Sequence, residues 1–203
     1  MTPLSSVRMR SIQRALWLTV LLVACRDGSR QAVIRQESAA LPKTTTSSCA
    51  GPFFDGDGIG ALRIGATVDS VRSACRVVRD TTEMRAEGLP VRILAVAALG
   101  DTVDAEVDSG RVWRIAVTSA RFRTADSLGV GVPIGRLLAV PGIRGLTGEG
   151  TLYLVSPTHC GLSFRMTNPQ RALRADWTLP LLKRLPATSV VTQVLVLGCK
   201  TAA

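Results

Sequence analysis

Short apolar runs, separated by glycines and polar turns, dominate residues 49–203. Within residues 68–75, apolar side chains recur at three- and four-residue spacing, which predicts a short helix with Thr67 as its N-cap. Asn168-Pro169 predicts the start of another short helix, which ends near Ala175. Longer apolar or alternating runs predict strands at residues 91–96, 102–107, 111–117, 151–155, 161–166 and 189–197. Short helices with these strands predict an α+β fold in which helices pack on an antiparallel β-sheet.

A tight turn is predicted at Asp108-Ser109-Gly110, because it separates two runs whose apolar and polar positions alternate. In the second run, strict alternation assigns the side chains to two faces of the strand. One face holds Arg111, Trp113, Ile115 and Val117, and the other holds Val112, Arg114 and Ala116. Because both sets contain apolar residues, we expect both faces of the sheet to be partly covered.

Residues 62–72 and 128–138 share the pattern Leu-x-(Ile/Val)-Gly-x-(Thr/Pro)-(Val/Ile)-x-x-(Val/Leu). Each segment predicts a short strand, a glycine turn and the start of a helix, and Pro133 is expected in the first turn of the second helix. Strand patterns follow each copy. We therefore expect two tandem modules, at residues 59–118 and 126–197, each a helix followed by three strands. Chance agreement between loosely matched positions is the alternative.

The N-terminus carries the pattern of an export signal. Residues 1–14 contain three arginines and no acidic residue, and residues 15–24 are uncharged and almost wholly apolar. This order is typical of a secretory signal peptide, and the apolar run is shorter than the about 20 residues that span a bilayer core. The run ends at Leu22-Val23-Ala24-Cys25, which resembles the lipobox of bacterial lipoproteins.

The lipobox resemblance implies that residues 1–24 are removed and that Cys25 is acylated, which anchors the protein to a membrane. In that family an Asp directly after the cysteine retains the protein in the inner membrane. Here Arg26 follows the cysteine and Asp27 comes one position later, so the outer membrane is favoured. An ordinary signal peptide with an accidental cysteine is the alternative.

Residues 25–48 are polar and predict a lipidated N-terminus with a flexible tether, and residues 49–203 predict the folded domain.

The composition narrows the class of partner. The chain has 203 residues, of which 46% are hydrophobic, and a net charge of +10, so it is too apolar to be disordered overall. Its basic residues are 22 arginines and 3 lysines, a ratio that genome composition also explains. The arginines occur singly and aromatic residues make up only 4%, which does not favour nucleic-acid binding. An anionic envelope surface or an acidic protein is the partner class that the charge favours.

Four cysteines lie in the predicted domain: Cys49, Cys75, Cys160 and Cys199. In an oxidising compartment we expect two disulfides, for which three pairings are possible. We predict the nested pairing, Cys49 with Cys199 and Cys75 with Cys160, because closing the longest loop restricts the unfolded chain most. A zinc site made from these cysteines and His159 is disfavoured, since no Cys-x-x-Cys spacing occurs.

The residues suited to catalysis or metal binding do not form a recognisable set. His159-Cys160 resembles the His-Cys pair of chymotrypsin-like proteases, but the Gly-Asp-Ser-Gly-Gly segment of that family does not follow, and Gly-x-Ser-x-Gly and Ser-x-x-Lys are missing. Asp55-Gly56-Asp57-Gly58 resembles the start of a calcium loop, but Ile59 holds the next ligand position. We therefore predict no enzyme, no metal and no cofactor, with His159 as a turn or surface residue beside a disulfide.

Residues 142–150 contain four glycines but no Lys-Ser/Thr, which disfavours a phosphate-binding loop. Glu149 lies within this segment among basic residues, and we expect it to pair with Arg144 or Arg165.

A glycine, a capped short helix and a β-meander, duplicated in an exported chain, resemble the modules of β-lactamase inhibitor protein. They also resemble the small accessory lipoprotein of the outer-membrane β-barrel assembly machinery. The resemblance covers residues 59–118 and 126–197, and this chain departs from those families in its cysteine positions and arginine-rich strands. It implies a protein-binding or accessory module of the bacterial envelope. The alternative is a periplasmic carrier of a small apolar or anionic ligand.

Overall fold

The computed structural model describes residues 49, 51–85, 88–167 and 176–199. The strands of these residues are β1 (Gly58–Ile59), β2 (Leu62–Arg63), β3 (Val77–Met84), β4 (Pro90–Ala98), β5 (Asp101–Asp108), β6 (Arg111–Val117), β7 (Arg144–Gly148), β8 (Thr151–Val155), β9 (Leu162–Met166), β10 (Asp176–Trp177) and β11 (Val191–Val196). The helices are α1 (Val68–Ala74), α2 (Ile134–Leu138) and α3 (Leu179–Leu182), and Pro157–His159 forms a single 3₁₀ turn.

Antiparallel sheet dominates the domain. β1 pairs with β2, and the other strands form one nine-stranded sheet in the order β10-β7-β8-β9-β11-β6-β5-β4-β3. The predicted α+β class is confirmed in this helix-poor form. The six longer predicted strands, the short strand at residues 62–63 and the turn at residues 108–110 are present, but residues 128–130 do not form the strand predicted there. The predictions missed β1, β3, β7, β10 and α3, and the helix predicted from Asn168 lies outside the described residues. Among the described helices, none is long and apolar enough to cross a membrane.

The three helices pack on one face of the sheet. Thr67 caps α1 as predicted, because its hydroxyl accepts a hydrogen bond from the Ser70 amide at 3.2 Å. Val71 of α1, Leu137 of α2 and Leu182 of α3 are completely buried in the main core. Ala116, Tyr153 and Leu195 form a separate small cluster on the opposite face of the sheet, which we call the second face.

A β-bulge at Trp113 changes the predicted faces of β6. Ile115 pairs with Ala105 and Arg114 with Glu106, but the next partner of β5, Val107, pairs with Val112. Trp113 is therefore an additional residue without its own partner in β5, and the alternation of side chains reverses at this point. The prediction that Trp113 shares a face with Ile115 is wrong: Ile115 and Val112 are both in the main core, and Trp113 is exposed.

All four domain cysteines form disulfides, but the nested pairing is wrong. Cys49 bonds to Cys75, and Cys160 bonds to Cys199. β9 and β11 are adjacent antiparallel strands in which Leu162 pairs with Val196. Cys160 lies shortly before Leu162 and Cys199 shortly after Val196, so this register brings the two cysteines together. Loop entropy governs how much a disulfide stabilises, whereas strand register decides which cysteines meet.

The two repeat segments make equivalent backbone hydrogen bonds. The amide and carbonyl of Val112, at the start of β6, bond to the backbone of residues 65–66 at 2.7 and 2.9 Å. The same groups of Val191, at the start of β11, bond to residues 131–132 at 2.8 and 2.9 Å. The glycine of each repeat, at position 65 or 131, has a positive φ, so each segment turns in the same way before its helix.

Candidate binding groove at the strand ends

An open groove of about 1020 Å³ lies where β6 begins and β11 ends. The start of β9 and the start of β7 contribute to its walls, together with the 3₁₀ turn. Its lining residues are Ile64, Gly65, Val112, Trp113, Gly142, Arg144, Leu146, Val155, Ser156, Pro157, His159, Cys160, Gly161, Leu162, Ser163, Leu197 and Gly198.

Three large apolar side chains in this groove are exposed to solvent. The exposed fractions are 41% for Trp113, 43% for Leu146 and 37% for Leu197. Trp113 is exposed because of the bulge, and Leu146 because it pairs with Tyr153 on the second face near the sheet edge. Exposed apolar side chains gathered in one concave site are typical of surfaces that bind a partner.

One wall of the groove is held by a disulfide and closely packed backbone. A Cβ atom added to Gly56 would lie 1.9 Å from the carbonyl oxygen of Cys160, and one added to Gly161 would lie 2.3 Å from the carbonyl oxygen of Gly56. The amide of Gly198 also donates to the Gly56 carbonyl at 2.9 Å. Only glycine permits this approach, so the Cys160–Cys199 disulfide and the turn that contains Gly56 form one compact wall.

His159 ends the 3₁₀ turn, beside a disulfide as predicted, but it is mostly buried. Its Nε2 lies 3.0 Å from a carboxylate oxygen of Asp126, and its Nδ1 lies 3.2 Å from the hydroxyl of Thr158. Burial raises the pKa of Asp126, but hydrogen bonds from Thr124 and His159 outweigh it and hold that pKa below its ordinary value. His159 therefore joins the loop before α2 to the groove wall.

An ion network on the second face begins directly beside the groove. Arg114 donates hydrogen bonds to Glu106 at 2.7 Å and to Glu149 at 2.6 Å, and Arg85 also donates to Glu106. The side chain of Glu106 is only 2% exposed and that of Arg114 12% exposed. Burial lowers the pKa of Arg114, but the two carboxylates outweigh it and raise that pKa. Arg114 therefore keeps its charge in a shielded position beside two carboxylates.

Arg114 connects this network to the groove, because its guanidinium lies 4.7 Å from the ring centre of Trp113. A cation at this distance from an aromatic ring is attracted to the ring electrons. The network therefore helps to fix the direction of the exposed tryptophan.

Glu149 pairs with Arg114, so the prediction that its partner is Arg144 or Arg165 is wrong. Its second partner is the Tyr153 hydroxyl, which donates to it at 3.0 Å. The hydrogen bond from Arg114 lowers the pKa of Glu149 more than partial burial raises it. Burial and the Glu149 carboxylate both raise the pKa of Tyr153.

Asp55 and Asp57 are engaged within the chain. Asp55 accepts hydrogen bonds from the amides of Asp57 and Gly58 at 2.9 Å, as expected for the predicted turn, and Asp57 accepts one from the Cys199 amide at 2.8 Å. Within residues 49, 51–85, 88–167 and 176–199, no group of three or more His, Cys, Asp or Glu side chains is placed to hold a metal ion.

Trp113, Arg114 and Glu106 form one site in the structure, and the sequence did not predict it. Cys25, the predicted lipidation site, lies outside the described residues. Glu106 and Arg114 lie on the two strands that the predicted turn at residues 108–110 joins, so their opposite charges could have indicated this pair. Nothing in the local pattern marks the bulge that exposes Trp113.

Comparisons with known proteins show what this fold resembles and give no information about the groove. No protein-family model matches this chain, and no curated protein sequence matches it. The structure is similar to the crystal structure of the uncharacterized protein yfeY from Escherichia coli, with a TM-score of 0.51 and 16% sequence identity. The match covers 70% of this chain and 97% of that chain, and at this identity it shows a shared fold alone.

Proposed function

We propose that this protein is a non-catalytic lipoprotein of the bacterial envelope that binds a protein partner through the groove. The observation that carries the proposal is the exposure of Trp113, Leu146 and Leu197 around a single groove. Aromatic residues in a concave site, with an arginine beside them, are the residue types that dominate the free energy of protein association. The partner presents apolar side chains to this groove.

Export and anchoring are part of this proposal. Two disulfides are expected in an oxidising compartment, which agrees with the signal pattern of residues 1–24. Cys25 carries the lipid, and residues 26–48 connect it to the domain. Arg26 favours the outer membrane over the inner membrane. A Cys25→Ser variant is expected to stay unprocessed and unlabelled by a fatty-acid probe, and unchanged labelling would refute the anchor.

We also propose that residues 59–118 and 126–197 are two tandem helix-plus-meander modules. The equivalent hydrogen bonds at Val112 and Val191 support this assignment. So does the pairing of β6 with β11, which are the last strands of the two proposed modules. Such a duplication supports the resemblance to inhibitory and accessory binding modules.

The binding test uses the full chain in bacterial cells, with a photo-crosslinking amino acid at Leu146. A discrete protein is expected to be captured, and Trp113→Ala is expected to reduce its capture about tenfold or more, as for a central interface tryptophan. Phe53→Ala is the matched control, since Phe53 is an aromatic residue with 62% exposure outside the groove. Equal losses from both variants would contradict the proposal. So would hydrolysis of a peptide, ester or glycan panel that is lost on His159→Ala.

A carrier of a small apolar ligand is the second candidate, and the size of the groove favours it. About 1020 Å³ is enough to hold a lipid-sized molecule, and most of the walls are apolar. Mass spectrometry of the purified full chain distinguishes the two candidates. A stoichiometric non-covalent lipid, besides the acyl chains on Cys25, that is lost on Leu146→Ser would support the carrier, and its absence would support the protein partner.

A further inference from the structure

The strand β3 forms one edge of the nine-stranded sheet. It is eight residues long, and in the described part of the chain it pairs on one side only, with β4. The outer side therefore offers unpaired backbone amides and carbonyls to another strand. Val78 and Met84 near its two ends are 47% and 68% exposed. A long edge with exposed apolar side chains is a candidate for strand addition.

Symmetry restricts how two copies of β3 can pair. In an antiparallel pair, directly opposite residues alternate between hydrogen-bonded and non-hydrogen-bonded pairs. A two-fold axis exchanges the copies and must preserve the type of every pair. Neighbouring residues in a strand belong to different pair types. A residue of one copy therefore cannot lie directly opposite its sequence neighbour in the other copy. A symmetric dimer therefore places one residue directly opposite its own copy.

The charges of β3 select the central residue. Centring on Asp80 would oppose two like carboxylates, and centring on Thr82 would oppose Arg79 and Arg85 twice. Centring on Thr81 opposes Arg79 of each copy to Glu83 of the other, which forms two attractive pairs on one face. Asp80 then faces the neutral Thr82. In this register Arg79 gains an attractive partner, and no like charges lie directly opposite each other.

One further observation fits the same register. Exposed Met84 of each copy lies directly opposite exposed Val78 of the other, so two apolar pairs form on the other face. We propose that two copies of this chain form a two-fold dimer by antiparallel pairing of β3, centred on Thr81.

This dimer is distinct from the groove and does not depend on the proposed function. Stable protein interfaces bury at least about 1,200 Å² of accessible surface, and one strand edge of this length buries less. We therefore expect weak and reversible self-association in solution. The pairing extends one sheet across both copies.

The first test exchanges charges in the full chain, purified in detergent and followed by sedimentation. Arg79→Glu alone opposes Glu to Glu twice, and Glu83→Arg alone opposes Arg to Arg twice. Each single variant is expected to self-associate about tenfold more weakly than the parent chain. A mixture of the two opposes Glu to Arg at both pairs, so the heterodimer is expected to recover the parent affinity.

A second test covers the case in which Arg79→Glu fails to fold, since Arg79 lies 3.7 Å from Asp104 of its own chain. Under mild oxidation, Thr81→Cys is expected to form a covalent dimer, because directly opposite Cα atoms lie about 4.5–5.5 Å apart, within disulfide range. Thr82→Cys is the matched control, since its own copy is not opposite. A parent chain that stays monomeric, no recovery in the mixture, or equal cross-linking of both cysteine variants would overturn the proposal.

Discussion

Arg114 and Glu149 form a 2.6 Å hydrogen bond. Arg114 lies in β6 and Glu149 in the turn just before β8, and two other strands, β11 and β9, separate β6 from β8 in the sheet. Three strand spacings amount to about 14 Å in a flat sheet. The β7–β8 hairpin must therefore curl over the second face for the two side chains to meet. This pair ties the edge of the sheet that carries Leu146 to the bulge that carries Trp113, so it stabilises the shape of the groove.

The Arg114–Glu149 pair is expected to give an acid-sensitive contribution to stability. Because the folded-state pKa of Glu149 lies below its ordinary value of 4.5, the contribution is present above pH 4.5 and is lost as the pH falls through the folded-state pKa. Its size is under about 1 kcal/mol, since the Glu149 side chain is 52% exposed. Urea unfolding between pH 7 and pH 3 should show a shallower acid decline for Glu149→Gln than for the parent chain. Parallel curves would contradict this assignment.

Gly56→Ala is expected to destabilise the domain by about 2–4 kcal/mol, because the new methyl group would overlap the backbone of Cys160. Gly135→Ala is the control. Gly135 is in α2 with open space around its Cβ position, so alanine there is expected to stabilise by about 0.5–1 kcal/mol. Denaturant unfolding of both variants measures the difference. A Gly56→Ala protein as stable as the parent would show that the wall is not closely packed.

The disulfide pairing predicts the products of proteolysis without reductant. Peptides that contain Cys49 should be linked to those with Cys75, and peptides with Cys160 to those with Cys199. Replacing both Cys160 and Cys199 by alanine removes a link across 39 residues, which is expected to cost about 3–4 kcal/mol of the free energy of unfolding. A peptide that joins Cys49 to Cys199 in mass spectrometry would contradict the structure.

Trp113 and Ile115 are expected to differ in their effect on stability. Ile115 is completely buried, so Ile115→Ala should cost about 2–5 kcal/mol. Trp113 is outside the main core, and Trp113→Ala should cost under about 1.5 kcal/mol, mainly from the lost contact with Arg114. Thermal unfolding compares the two variants directly. A larger loss at Trp113 than at Ile115 would mean that no bulge is present in solution.

Local sequence patterns predicted most of the elements. The hairpin at residues 108–110 and the helix after Thr67 follow from turn chemistry and apolar spacing, which act over a few residues. β3 was missed because an edge strand buries little on either face and shows no clear alternation. β7 was missed because its glycines favour a turn, although Gly145 is required where the Trp177 side chain packs against the strand.

The sequence by itself determined the strand-rich α+β class and that the four domain cysteines are able to form disulfides. It also predicts export and lipidation, and these remain predictions. Tertiary structure decided which cysteines meet, which side of β6 carries Trp113, and which arginine reaches Glu149. The physical reason is that propensity and periodicity are properties of neighbouring residues. Strand register, a one-residue bulge and the curl of a sheet depend instead on contacts between residues far apart in the chain.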